Sequence, residues 1–362
     1  MHRLQYVLPT CISAIIATSS TDAFTIPSRP YSSSPSLSTS LGRNGASSSL
    51  CLNALTERQM QFWEDVEDGL VDIEKFYLED KGEDIERVKE FAKSAQGLKP
   101  PPTGSGPGHQ PSEEHVDGLT ARPFWDAASD SAAFPWASEL ESKAHIILSE
   151  FESKLKRDEK EAAEQKQLFT GDSAWQNNVM GSGWSAFRLQ RLGEWNVENC
   201  NEFPETYNLL RSLDIPLAVR GVCFARQTPG TGVQPHSDGR NFILTSHLGL
   251  KVPEGCWIQV GDERKSWSEG KLTTLDTSFE HSTGNPTDSD RHVLIIDFWH
   301  PELTSAERAA LEFVYDLRNK FEKGKIPFRL SRASIKKREE EQEGMGFMGI
   351  WKSLTGGGDD EE

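Results

Sequence analysis

His236 and Asp238 stand two residues apart in the run PHSD, a spacing that can do chemistry. At the end of a strand, residues i and i+2 point the same way, so an imidazole and a carboxylate can converge on one ion. Two nitrogens and one oxygen on one face, with the other positions open, suit a non-haem Fe(II) oxygenase centre. The second nitrogen must come from a distant strand, and His281, in SFEHSTGN, is the best candidate. The competing reading of Asp238 is a turn residue leading into Gly239, a place where Asp is common. Arg291 follows His281 by ten residues and opens the next strand. A guanidinium keeps its charge when buried and forks onto both oxygens of a carboxylate, as the distal end of 2-oxoglutarate requires. Its ordinary reading is a surface arginine paired with Asp288 or Asp290. Of the remaining histidines, His109 and His115 fall in or beside a linker and His145 on a charged helix, while His292 and His300 flank an apolar strand as structural residues. His247 shares the β-rich stretch of His236 and His281.

Those residues need strands to hold them. Short segments bounded by Gly, Pro, Asn and Asp read as strands at Val219–Gln227, Asn241–Leu250, Trp257–Val260, Lys271–Leu275 and His292–Trp299. Regular short strands with turn signals predict a β-sandwich or a barrel-like double sheet. Helices flank them. Phe62, Val66, Leu70, Ile73 and Tyr77 form one apolar stripe within an acidic helical region over 55–96, with a bend near Gly82. That region is either a packed hairpin or a partner-binding arm. The run GLKPPPTGSGPGHQP sits in a linker over 97–115. A second helix is expected over 139–165, and a third from Thr304 to Asn319, with Thr304 and Glu307 spaced as a capping box. The main domain spans 116–319. A charged tail over 320–362 holds one apolar patch of Met345, Phe347, Met348, Ile350 and Trp351, the pattern of a docking segment.

Composition narrows the function classes. The 362 residues carry a net charge of −17 with no basic cluster in the middle of the chain, which argues against a nucleic-acid partner. No stretch approaches the length of a membrane span. The five cysteines form no C-x-x-C pair, so neither a disulfide scaffold nor a thiolate zinc site is expected. Residues 1–54 read as a presequence. A short apolar run from Tyr6 to Ala17 follows Arg3, and a Ser-rich stretch from Phe24 to Ala54 contains Arg29 and Arg43 but no acidic residue. A signal followed by a transit peptide, joined at Ala23-Phe24, points to a plastid, and the alternative is the secretory pathway.

The motifs then converge on one family. PHSDGRNFILTSHLGLKVPEGCWIQVGDE (235–263), Trp267 to Lys271 as W-x-E-G-K, SFEH, Arg291 and DFWHPELTSAER (297–308) closely resemble the aspartyl/asparaginyl β-hydroxylase domain. The resemblance extends through GWSAFRLQRLGEWNVENCNEFPETYNLL (183–210) to ARPFWD (121–126), so it covers 116–316. It implies a mainly β fold, a double-stranded β-helix (cupin-like jelly roll) with flanking helices and, here, an N-terminal helical extension. It implies Fe(II) and 2-oxoglutarate as cofactors. His236 and His281 match the family's iron histidines, and Asp238 would be the third metal ligand. His247 and Arg291 match residues that hold 2-oxoglutarate, and Trp184 and Phe187 would face substrate. The chain also departs from the animal members, which have Gly at Asp238, Arg at Thr245 and Ser at Ala225. Asp238 brings it nearer to bacterial lipid-hydroxylating relatives. The implied activity is hydroxylation of an Asp, Asn or related side chain of a protein or peptide. The alternatives are a lipid or small-molecule hydroxylase and a non-catalytic metal-binding module.

Overall fold

The computed structural model describes residues 55–100, 102–162 and 183–341. The presequence, residues 163–165 of the second helix and the apolar tail patch lie outside the described residues.

Two antiparallel sheets face each other. The larger, in the order β1-β9-β6-β11-β4-β2-β3, contains β1 (Phe124–Trp125), β2 (Trp184–Arg191), β3 (Glu194–Trp195), β4 (Leu217–Gln227), β6 (Ile243–Lys251), β9 (Leu272–Asp276) and β11 (Arg291–Trp299). The smaller, in the order β5-β10-β7-β8, contains β5 (Thr231–His236), β7 (Trp257–Val260), β8 (Glu263–Lys265) and β10 (His281–Asn285). From β4 onward the chain passes back and forth between the sheets. That is the winding of a double-stranded β-helix, the cupin-like jelly roll expected.

Strand alternation sorts the large sheet into two faces. Val222 and Phe224 on β4, Leu294 and Ile296 on β11, and Leu244 and Leu248 on β6 form one apolar core with Leu140, Ile147, Phe151, Phe203 and Leu210. Those partners come from α3 (Ala137–Ser142), α4 (Ala144–Ala162), α6 (Pro204–Ser212) and the turn between α5 (Val197–Asn201) and α6. The alternate residues, Cys223, Ile295, Thr245 and His247, face the interior cavity. One irregularity matters for the site. The ladder shifts register between Arg188 and Gln190 and between Ile296 and Phe298, opposite the segment of β4 that contains Gly221. Gly221 has φ +76°, and a Cβ there would lie 2.1 Å from the Gln190 carbonyl oxygen, so only glycine fits. The shift lets Arg220 and Cys223 line the same cavity despite an odd spacing.

The acidic N-terminal region is a packed hairpin. α1 (Glu57–Lys81) ends at Gly82 in the left-handed conformation, and α2 (Glu86–Ala95) turns back. Phe62, Val66 and Leu70 bury their stripe with Ala310, Leu311 and Val314 of α7 (Ser305–Glu322) and with Phe242 and Trp299 at the barrel edge. The Thr304–Glu307 capping box is present. The helix read over 139–165 is broken at Lys143 into α3 and α4. The described residues of 97–115 form no helix or named strand, yet they do not hang free. Gln110 N–H donates to Ser278 O (2.9 Å), Ser112 N–H to Gly239 O (2.9 Å), and the His109 ring stacks on Phe279 at 4.6 Å. Gly108, Gln110 and Ser112 are thus tied through their backbone to the loops that carry Asp238 and His281, and this part of the segment works as a strap rather than a spacer. β5 and β10 escaped the sequence reading because TGVQPH and HSTGN lack apolar alternation. Their pairing with neighbouring strands defines them.

Candidate metal centre and its cavity

His236 closes β5 and His281 opens β10, and the two are direct partners in the antiparallel register. Their ring centroids lie 4.2 Å apart. His236 Nδ1–H donates to Gln234 O (2.8 Å) and His281 Nδ1–H to Phe279 O (2.9 Å). Both rings are thus oriented with the Nε2 lone pair available to an ion. Asp238 follows β5, its N–H held by Thr277 O at 2.9 Å. Its Oδ1 lies 3.9 Å from His236 Nε2, and ligand atoms of all three residues fall within 4.8 Å of one another. The Asp238 carboxylate makes no hydrogen bond to the turn backbone, and Oδ2 is ion-paired with Arg220. Burial would push this carboxyl up, yet the Arg220 guanidinium holds it well below the usual carboxylate range. Burial also pushes His281 down to about 4, so it stays neutral and able to ligate near pH 7.

Arg220 is a residue the sequence reading missed. Besides Asp238, its guanidinium donates to Thr245 Oγ1 (3.0 Å), Thr277 Oγ1 (3.1 Å) and Asp297 Oδ1 (3.2 Å). Arg220 thus brings a guanidinium from β4 to the Thr245 side chain. Its signal was a lone charge inside the otherwise apolar strand LAVRGVCFA.

Arg291 opens β11 deep in the same cavity and is only 2% exposed. The surface reading fails, because Asp290 pairs with Arg226 at 2.7 Å instead. The Arg291 guanidinium lies over the Trp267 ring, 4.5 Å from its centroid, and donates to Gln227 Oε1. Its Nε has no hydrogen-bond partner, and among the described residues no carboxylate pairs with it. Burial lowers it to about 10, so it remains a cation at neutral pH. Trp267 Nε1–H also donates to His247 Nδ1 at 3.2 Å. Burial and the charge of Arg291 keep His247 neutral, leaving its Nε2–H as a donor lining the cavity.

The cavity encloses about 320 Å³ and contains His236, Asp238, His281, His247, Arg291 and Trp184 in its lining. Phe187 is a correction. It points to the opposite face of β2, where its ring packs edge-on against Phe203 at 5.3 Å in the outer core. The one-residue offset from Trp184's alternation decides this. His292 and His300 are buried away from the cavity, with His300 Nε2 bonded to Thr120 O at 3.1 Å.

The fold and site thus define a cupin-like domain with a candidate His/Asp/His metal centre beside a buried cation. Comparison with known proteins refines the class. Residues 141–301 match the family described as aspartyl/asparaginyl beta-hydroxylase. Human aspartate beta-hydroxylase domain-containing protein 2 is 36% identical over 183 residues, 49% of this chain and 47% of that protein. Human aspartyl/asparaginyl beta-hydroxylase is 33% identical over 201 residues, 54% of this chain and 25% of that protein. Among solved structures, the match to AviO1 from Streptomyces viridochromogenes Tue57 covers 43% of this chain and 86% of that one at 15% identity, with a TM-score of 0.30. The family match covers residues 141–301, less than half of the 362-residue chain. The alignments span about half the length of the first relative and a quarter of the second.

Proposed function

We propose that the chain is an Fe(II)- and 2-oxoglutarate-dependent dioxygenase that hydroxylates an Asp, Asn or related side chain of a protein or peptide. The observation that carries this reading is one cavity with a preassembled His/Asp/His cluster and a buried arginine lacking a carboxylate partner. A buried cation with an orphaned donor is costly unless an anion completes it. Two imidazoles and a carboxylate on one face suit Fe(II). A small diacid can reach such a metal with one end and Arg291 with the other.

His236, Asp238 and His281 would hold the iron from one side and leave positions open. Iron and 2-oxoglutarate held here would let dioxygen act as the oxidant for C–H hydroxylation, one oxygen atom going to the substrate and the other to succinate as 2-oxoglutarate loses CO2. Arg291 would fork onto the distal carboxylate, with the Trp267 indole beneath fixing the guanidinium plane. The His247 Nε2–H would donate to a cosubstrate oxygen. Val233, Ile258, Leu275 and Ile295 line the cavity with apolar surface that excludes water. The test incubates the protein in air with Fe(II), 2-oxoglutarate and candidate peptides, dioxygen being the oxidant. The expected result is succinate formation coupled to a gain of one oxygen atom on an Asp or Asn peptide. Coupling to a lipid precursor alone would favour the lipid reading. Iron and 2-oxoglutarate binding with no turnover on any substrate would favour a non-catalytic module.

A plastid location belongs with this proposal and rests on the composition of residues 1–54. A fluorescent fusion of those residues should accumulate in plastids. Export from the cell would point to the secretory alternative.

A further inference from the structure

Six arginines and three carboxylates line the cavity of a chain whose net charge is −17. Three of those arginines are paired with carboxylates. Arg220 pairs with Asp238 and Asp297. Arg240 and Arg318 share Glu114, each at 2.6 Å. Arg291 is the seat assigned above to the cosubstrate, and Arg191 stands exposed at the rim. Arg188 differs. It is half-buried on β2, it lines the cavity, and its guanidinium makes one hydrogen bond, to the Arg220 backbone carbonyl at 3.0 Å. Among the described residues no carboxylate forms an ion pair with it.

The register places it. Arg188 pairs with Cys223, Cys223 with Ile295, and Ile295 with His247, a single row across four strands. Arg291 lies four residues from Ile295 along β11, about 13 Å at the backbone at roughly 3.3 Å per residue. Across three strand spacings, the backbones of Arg188 and His247 are roughly 14 Å apart. A five-carbon diacid anchored at Arg291 and directed at the metal does not also occupy Arg188. Cys223 beside it stays an uncharged thiol, since burial pushes it up to about 11, and Asp297, the carboxylate that also feels the Arg188 charge, is ion-paired with Arg220 instead.

We propose that Arg188 is the specificity-determining residue for substrate, gripping a carboxylate on the target side chain so that the enzyme prefers an acidic residue to its amide. This deepens, and rests on, the dioxygenase reading. A guanidinium offers only donors. An Asp carboxylate accepts two of them as a fork, whereas Asn offers one oxygen and turns its own N–H groups toward the arginine. Gripping the carboxylate also fixes the neighbouring carbon, the one to be hydroxylated. The competing role is purely structural, with Arg188 tying β2 to β4 through the Arg220 carbonyl.

The test uses peptides identical except for Asp, Asn or Leu at the target position, with wild type, Arg188→Gln and Arg188→Lys. Gln keeps a donor for the carbonyl and loses the charge, and Lys keeps the charge and loses the fork. Wild type should favour the Asp peptide over the Asn peptide by about ten- to a hundred-fold in kcat/KM. Arg188→Gln should lose that preference through the Asp peptide alone, and Arg188→Lys should keep part of it. The same ranking should appear in peptide binding to the full chain, measured by fluorescence anisotropy without turnover. Equal losses on all three peptides, no acidic preference in wild type, or preferential binding of a phosphate-bearing lipid would overturn the proposal. Calorimetry of Fe(II) and 2-oxoglutarate on the same samples separates the two readings. Failure there refutes the dioxygenase, whereas intact cofactor binding with unaltered peptide selectivity in Arg188→Gln refutes only this assignment.

Discussion

Two arginines on the inner face of one sheet stand in opposite states. Arg220 reaches four acceptors, two of them carboxylates, and anchors the Asp238 end of the cavity. Both leave Nε without a partner, but Arg291 has only one amide oxygen and an indole face, and among the described residues no carboxylate pairs with it. Both are buried cations, which the interior tolerates only when compensated. The protein itself supplies the compensation for Arg220, so Arg220 is a strut. For Arg291 the compensation must arrive with a ligand, so Arg291 is a seat.

That contrast predicts different failures. Arg220→Leu should produce the largest effect, because it strands Asp238 and Asp297 without their cation. Removing one partner of a buried pair costs about 3–5 kcal/mol, to be read as a lower midpoint in urea unfolding. A loss below 1 kcal/mol would mean that the network is not a strut. Arg291→Lys should leave folding and metal binding near wild type. It replaces a fork with a point charge, worth roughly 1.5–3 kcal/mol, so the KM for 2-oxoglutarate should rise about ten- to a hundred-fold. An unchanged KM removes Arg291 from the cosubstrate site.

Asp238→Gly sharpens the comparison from the metal side. It deletes an anionic ligand and leaves Arg220 with Asp297 as its remaining carboxylate. Fe(II) affinity and coupled turnover should both fall while the circular dichroism of the fold persists. Equal affinity and turnover in the two proteins would reduce Asp238 to a turn residue.

The smallest effect concerns another buried, poorly compensated group. Asp276 is fully buried, with Oδ1 accepting from Ser278 and Oδ2 lacking a partner. Burial raises its carboxyl to about 7. A raised carboxyl favours the folded state at low pH, and that contribution is lost as pH rises from the unfolded value near 4 through about 7. Asp276→Asn should therefore stabilise the fold by about 1–3 kcal/mol at pH 8, after the cost of its own unpartnered amide, and give little or no gain at pH 4.5. Equal effects at both pH values would contradict the assignment. His281 and His292, each lowered to about 4 by burial, act in the other direction. Their contribution is present above pH 6.5 and is lost as pH falls toward 4, so the comparison must be made against wild type at each pH.

The difference between strut and seat also marks what the sequence could reveal. The spacing His-x-Asp, a distal His after a strand and an Arg ten residues later were visible as residue types at fixed separations. β4, β6, β7, β9 and β11 were visible because apolar residues fill their buried faces. β5 and β10, which carry the histidines, lack that pattern and exist through their ladder partners. Arg220 entered the site only through the register shift around Gly221, a tertiary event that no period of two encodes. The same alternation counted from Trp184 places Phe187 on the outer face, and that step was available from the sequence. Trp267 lay within a recognised motif, but its bridge from His247 to Arg291 required the fold.

The central claim is that one cavity holds Fe(II) on His236, Asp238 and His281 while Arg291 receives the distal carboxylate of 2-oxoglutarate. Its most direct test is anaerobic titration of Fe(II) with 2-oxoglutarate, followed by the visible charge-transfer absorption that chelation of the keto acid to iron produces. Wild type should develop the band only with both components present. Arg291→Lys should need about ten- to a hundred-fold more 2-oxoglutarate to reach it. Wild-type protein that binds Fe(II) yet shows no band at saturating 2-oxoglutarate would contradict the account.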